Sequence, residues 1–173
     1  VWEEHLLYFT PFTFKNTLAE MGFRINRFFQ YPYPFEDSLV AVVQVQAEKS
    51  IPDIDQKQLD QAIKQGALFS DNFKKQKQEI RNFLSSFFKK HGKIAIFGAG
   101  HLTATFIALF ELEKWISCVL DDNPNKEGLF MPYAKIPIFS SSHMYEENIQ
   151  LCLLGINPIH ENKVIGKHKQ FVN

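Results

Sequence analysis

Cysteine is nearly absent from this sequence: of 173 residues only Cys118 and Cys152 are cysteine, and they form no C-x-x-C pair. Both fall inside short apolar runs that read as buried strands, so reduced core thiols are expected rather than a disulfide framework or a thiolate metal site. Charge of either sign is also not in excess, with Lys plus Arg and Asp plus Glu at 19 each. A balanced surface excludes nucleic acid and anionic membrane as main partners, because both reward a basic protein. No stretch approaches the ~18 consecutive apolar residues of a membrane-spanning helix. No charged-then-apolar leader precedes the first element either, which predicts a soluble, cytoplasmic protein. Metal-ligand spacing is missing as well: His91, His101, His143, His160 and His168 make no H-x-x-x-H pair, so no metal is expected within this chain. The chain begins at Val1 rather than at methionine, which predicts a fragment, a processed chain or further residues upstream.

Phenylalanine, by contrast, is abundant. There are 18, and 12 of them precede Gly92. Part of this aromatic surface is expected in the core and part against a domain outside the chain. The length suits one domain, or a small module beside a second.

The grammar changes along the chain. After Pro11, "FTFKNTLAEMGF" reads as a short helix, with Phe14, Leu18 and Met21 on one face and Gly22 where a left-handed C-terminal cap belongs. "FRINRFFQYPYPF" and "SLVAVVQVQ" then read as an antiparallel strand pair, with Pro32 and Pro34 at its turn or edge. The polar "AEKSIPDID" reads as a linker. Residues 57–91 follow as a helix broken or bent near Gly66, its lysines and Arg81 turned mostly toward solvent. Beyond Gly92, "KIAIFGAG", "WISCVLDD", "KIPIF" and "IQLCLLGIN" read as four strands. Between them lie "HLTATFIALFEL" as a helix and "SSSHMYEEN" as a capped helical turn. Alternation of this kind predicts an α/β, Rossmann-like parallel sheet. Three segments are expected: 1–50 as a helix and strand-pair unit, 51–91 as linker and long helix, and 92–173 as the Rossmann-like subdomain. Neither an internal repeat nor a low-complexity tract is present.

Two places carry residue types suited to chemistry. In "FGAGHLTATF", Gly98 and Gly100 let the chain turn off a strand and bring backbone N–H groups, with His101 behind them, to a ligand at a helix start. Thr103 stands where a third fingerprint glycine belongs. Some twenty residues on, Asp121 and Asp122 end the second strand, where a carboxylate meets a ribose in dinucleotide folds. Asn157 ends the fourth strand, on the side where such folds hold their ligands. These pieces fit NAD, a nucleotide-sugar, or a tight βα turn with no ligand, and Asn157-Pro158 is equally a plain strand-exit turn. The other place is "VWEEHLLYF", the acid-base constellation of the chain. A histidine near neutral pKa takes a proton, and Glu4 beside His5 raises its basicity and fixes its tautomer. A surface histidine beside two glutamates is the plainer reading of that stretch.

Taken together, the chain resembles the C-terminal portion of the S-adenosylmethionine-dependent sugar C-methyltransferases, which methylate C-3 of a nucleotide-linked 4-keto-deoxysugar. "WEEHLLYF" with "LAEMGFRI" is similar to the family's Tyr-x-Glu-His segment leading into a helix and strand. "GKIAIFGAGHLTATF" is similar to the opening of its Rossmann-like subdomain, and "VLDDNPNKEGLFMPYAKIPIFS" to the segment that follows. The resemblance implies His5 as general base with Glu4 as its acidic neighbour. It also implies Trp2, Tyr8, Gly98, Gly100, His101, Asp121, Asp122 and Asn157 as substrate-side residues. The implied chemistry is removal of a proton next to the ketone to give an enolate that is methylated, with the enzyme orienting the pair. Family members carry a central S-adenosylmethionine domain and an N-terminal zinc-binding segment, so donor and zinc are expected outside this chain. The chain's own upstream methyl-donor domain and a nucleotide-sugar are its expected partners. Departures from the family pattern are Trp2 for tyrosine, Glu36-Asp37-Ser38 for a Gly-Gly-Ser turn, Tyr133 for glycine and Ile156 for tryptophan. Two other readings stand beside this one. One is a non-catalytic nucleotide-sugar or dinucleotide module, similar to the Rossmann-like N-terminal domains of some sugar acyltransferases. The other is an interaction domain with a purely structural glycine loop.

Overall fold

The structure, a computed structural model, describes residues 7–33, 37–46 and 54–172. Trp2, Glu4, His5 and Pro34 lie outside the described residues. Two compact units divide the rest at Phe73/Lys74.

In the first unit, helix α1 (Pro11–Glu20) starts where the sequence places it, because Thr10 and Thr13 cap it reciprocally. The Thr13 amide donates to Thr10 Oγ1 at 3.2 Å, and the Thr10 amide donates to Thr13 Oγ1 at 2.8 Å. Pro11 occupies the first turn, where its missing N–H costs nothing. Gly22 ends the helix at φ +86°, as expected of a left-handed cap. Strands β1 (Phe23–Pro32) and β2 (Asp37–Val45) pair antiparallel, with a bulge between Ile25 and Arg27. Phe28 faces α1, its ring 6.4 Å from that of Phe14. The opposite face of the pair leaves Phe29, Tyr31, Val40 and Val42 exposed, with Phe29 stacked on Tyr31.

Helix α2 (Gln56–His91) begins in the first unit and ends in the second. The break expected near Gly66 does not occur, and all 36 residues are helical. One exposed glycine costs a helix only about 1 kcal/mol, too little to interrupt so long a run of good helix formers.

The second unit is the α/β layer. Strands β3 (Ile94–Phe97), β4 (Ile116–Leu120), β5 (Ile138–Phe139) and β6 (Leu151–Leu154) form a parallel sheet in the order β5-β4-β3-β6. Helix α3 (His101–Phe110) joins β3 to β4; α4 (His143–Glu146), α5 (Pro158–Lys167) and α6 (Lys169–Val172) complete the unit. Alternation along β3 splits the core in two. Ile94 and Ile96 pack with Leu84 of α2, Ile107, Leu112 and Val119. Ala95 and Phe97 pack on the other face with Cys118, Leu120, Met144 and Ile149. Both cysteines are free thiols in this apolar setting, and burial pushes Cys118 up to about 11 and Cys152 up to about 12.

Three local details depart from the expected pattern. The "KIPIF" strand shortens to Ile138–Phe139, since its upstream half folds back as a tight antiparallel turn in which Phe130 bridges Pro137. Tyr133 and Lys135 in that turn take φ +66° and +51°, a backbone that favours glycine. Ser142 precedes α4 without a side-chain cap and instead meets the Ser140 hydroxyl at 2.9 Å. Finally, Arg81 and Lys77 are not simply solvated. Arg81 Nη1 donates to the Phe110 and Glu111 carbonyls at 3.1 and 3.0 Å and pairs with the Glu111 carboxylate, joined there by Lys77. Cations at the C-terminus of α3 meet the negative end of its dipole.

Candidate functional site

In the order β5-β4-β3-β6 the chain runs outward from β3 to one side and then returns to the other, so the direction of winding reverses between β3 and β6. Open α/β sheets hold their ligands beyond the carboxyl ends of strands at such a point. Here the Gly98 turn follows β3, and Gly155-Ile156-Asn157 follows β6.

The base of that crevice is filled by the protein itself. Gly98 sits at φ +107°, and a Cβ there would lie 2.5 Å from Ile156 Cγ2 and 2.9 Å from the Gly155 carbonyl oxygen. Only glycine permits both the backbone and the approach. Thr103, fully buried, places its Oγ1 2.5 Å from the Gly98 carbonyl oxygen and 3.1 Å from that of Gly155. One hydroxyl proton thus serves both strand ends, which explains a threonine where a dinucleotide loop has its third glycine. Gly100 is the extended residue before α3, with open space around it and no side chain to cap the helix. His101, half-buried, is the first helical residue.

The acids at the end of β4 are engaged within the fold. Asp121 Oδ2 accepts from the Ala99 amide at 2.8 Å and from Lys126 Nζ at 2.9 Å, while Oδ1 accepts from the Asn123 amide at 2.9 Å. Lys126 Nζ also donates to the Ala99 carbonyl at 2.8 Å. The carboxylate therefore binds the very loop amide that would otherwise be offered to a phosphate. Burial pushes the Asp121 carboxyl upward, but the Lys126, Asn123 and Ala99 donors outweigh it and hold the group below its ordinary value. Asp122 pairs with Lys167 of α5 and accepts from Ser141, and these donors likewise overcome burial to lower its pKa. Asn157 caps α5, its Oδ1 accepting from the Ile159 amide at 3.0 Å.

The structure therefore brings Gly98, Gly100, His101, Asp121, Asp122 and Asn157 to one end of the parallel sheet. Three of these side chains serve as internal ties.

A more open site lies in the first unit. A cleft of about 500 Å³ is lined by Leu7, Tyr8, Phe9, Thr10, Pro11 and Phe14 on one side, and by Asp37, Ser38 and Leu39 at the start of β2. Its size falls within the range of small-ligand sites, and its mix of apolar wall and few polar groups is typical of them. Tyr8 is the one residue expected to touch substrate that the structure places here, and it stands three positions after His5 in the chain. Asp37 and Ser38 entered the sequence reading only as departures from a glycine turn. Their position at this cleft depends on the pairing of β2 with β1, which no local spacing reveals.

Among the described residues no cluster of three or more His, Cys, Asp or Glu side chains is arranged to hold a metal ion. No helix there is long and apolar enough to cross a membrane.

Comparison with curated proteins gives no match for the chain. A sequence profile of the C-methyltransferase C-terminal domain matches residues 43–173, which includes all of α2 and the whole parallel sheet. With three quarters of its length covered by that profile, the chain belongs to the C-methyltransferase C-terminal domain family.

Proposed function

We propose that this chain is the C-terminal, substrate-side part of an S-adenosylmethionine-dependent C-methyltransferase that acts on a nucleotide-linked 4-keto-deoxysugar. Membership in the family carries the proposal. S-adenosylmethionine itself is not fitted by the described residues. The acid beside the Gly98 turn that would meet its ribose is already held by Ala99, Asn123 and Lys126. Its role, to supply an electrophilic methyl group, is assigned to a methyl-donor domain upstream, which is also the proposed partner of this chain. Zinc is assigned to the N-terminal segment of such a protein.

In this reading His5 takes the proton next to the ketone, Glu4 raises its basicity, and Trp2 and Tyr8 stand against the substrate. The 4-keto group makes that proton acidic, so the protein's task is largely to orient base and substrate. A cytoplasmic setting is part of the proposal, supported by balanced charge and two free thiols. The rival reading as a non-catalytic dinucleotide module is weakened by the engagement of Asp121 with Ala99, since that module needs a carboxylate for the ribose.

The test uses the full-length protein with methyl-labelled S-adenosylmethionine and a panel of nucleotide-linked 4-keto-deoxysugars. Label is expected on the carbon next to the ketone of at least one panel member. In deuterium oxide, His5→Ala is expected to abolish proton exchange at that carbon. A folded protein that labels nothing in the panel would overturn the function, and retained exchange in His5→Ala would remove His5 as the base.

A further inference from the structure

The cleft ahead of α1 has an uneven chemistry. Phe9, Pro11, Phe14 and Leu39 give it apolar wall, and Phe9 and Phe14 meet edge to face at 5.5 Å, which holds both rings in place. Its polar side is made by Tyr8, Ser38 and Asp37. Among the described residues of the lining, Asp37 is the charged one. Gln30, across the hairpin, donates to Asp37 Oδ2 and fixes the carboxylate, while Oδ1 meets no donor among the described residues.

That charge pattern selects a ligand. A phosphate brought beside Asp37 would face a like charge, a repulsion that costs affinity at short range. Donors such as ligand hydroxyls are favoured instead, because hydrogen bonds to a carboxylate are stronger than those between neutral groups. Ser38 both donates and accepts, and the aromatic wall suits the apolar face of a ring. We propose that this cleft receives the neutral, hydroxyl-bearing ring of the substrate, not its phosphates, and that Asp37 and Ser38 determine which hydroxyl pattern is accepted. The proposal rests on the reading of the chain as acting on a nucleotide-sugar, and it assigns the sugar end of that substrate to the first unit.

Calorimetric titration of the full-length protein tests it, with UDP-, GDP- and dTDP-glucose as probes and the matching free nucleoside diphosphates as controls. Asp37→Asn and Ser38→Ala are each expected to weaken the best nucleotide-glucose about tenfold, the scale of one lost hydrogen bond to a charged or well-placed group. Affinity for the free diphosphate should stay within about twofold on the same scale. Equal losses for sugar and free diphosphate would overturn the assignment, as would unchanged sugar affinity or failure of every nucleotide-glucose to bind the wild type. Far-ultraviolet circular dichroism checks that both variants fold, and Tyr8→Phe supplies a third, milder probe of the same cleft. If these variants behave as expected while no keto-sugar is methylated, the cleft stands and the methyl-transfer reading falls.

Discussion

Thr103 reaches across the end of the parallel sheet to the Gly155 carbonyl oxygen, 3.1 Å away, and no Cβ fits between them. A Cβ built on Gly155 would lie 2.0 Å from Thr103 Oγ1 and 2.9 Å from Ile96 Cγ2. Gly155→Ala must therefore displace a buried threonine and a core isoleucine together. It is expected to lower stability by about 2–3 kcal/mol, in the upper range for overpacking. Urea unfolding of the two proteins measures the difference. A loss below about 0.5 kcal/mol, the level of an ordinary surface substitution, would show that the packing there is looser than described.

Acid should act through Asp121. Its carboxyl titrates below the ordinary value in the folded protein, so the unfolded chain binds the proton more readily. The stabilisation is thus fully present above the ordinary aspartate pKa of about 3.9 and drains away as pH falls through and below that value. Asp121→Asn, which keeps an acceptor for Ala99 but not the charge, is expected to be less stable at pH 7 and to show a shallower loss between about pH 5 and pH 2. Thermal melts across that range compare the slopes, and parallel curves would exclude the carboxylate as the titrating group.

The thiols should be silent. Burial lifts Cys118 to about 11 and Cys152 to about 12, so at pH 8 the reactive thiolate is a minute fraction of either. Ellman's reagent is expected to label neither cysteine in the native protein and both in denaturant. Rapid labelling of Cys118 or Cys152 under native conditions would contradict their placement in the sheet with side chains in its apolar core.

Gly66 offers a gain rather than a loss. It lies within α2 with nothing within 4 Å of the position its Cβ would take. Gly66→Ala is expected to add up to about 1 kcal/mol, through helix propensity and a less flexible unfolded chain. A raised melting temperature is the readout; an unchanged or lowered one would mean that the helix is interrupted there after all.

Tyr133 is the opposite case, a bulky residue at φ +66° whose side chain is 91 % exposed. Removing its Cβ relieves the left-handed conformation at little cost in packing, while glycine's freedom in the unfolded chain opposes the gain. Tyr133→Gly is expected to stabilise by roughly 0.5–1 kcal/mol, seen as a higher urea midpoint. Destabilisation would mean that the ring makes contacts its exposure conceals.

Why some of this was readable and some was not follows from the range of each signal. Strands β3 and β4 are buried on both faces and the edge strand β6 is half-buried, so they appear as unbroken apolar runs, and the glycine after α1 marks its left-handed cap without tertiary help. Tyr133 is intermediate: it entered only as a departure from a family glycine, and the left-handed backbone at that place came from the fold. By contrast, the bond from Ala99 to Asp121 joins residues 22 positions apart. Spacing alone made Asp121 look like a ribose ligand, whereas the fold spends it on a loop amide. Thr103 looked like a missing glycine for the same reason, since the carbonyl it serves at Gly155 is 52 positions away. The cleft of Tyr8, Asp37 and Ser38 was the least readable, because its walls come from opposite ends of a helix-hairpin unit.

The interlock of Ala99, Asp121 and Lys126 bears on how this protein can be rebuilt. Each partner satisfies a group that another leaves open, so the glycine turn does not travel as a short cassette. A chimera that transplants "FGAGH" into another parallel sheet must carry the end of β4 and Lys126 with it. Without them the graft would inherit a turn whose exposed amide and carbonyl have lost the side chains that tie them down.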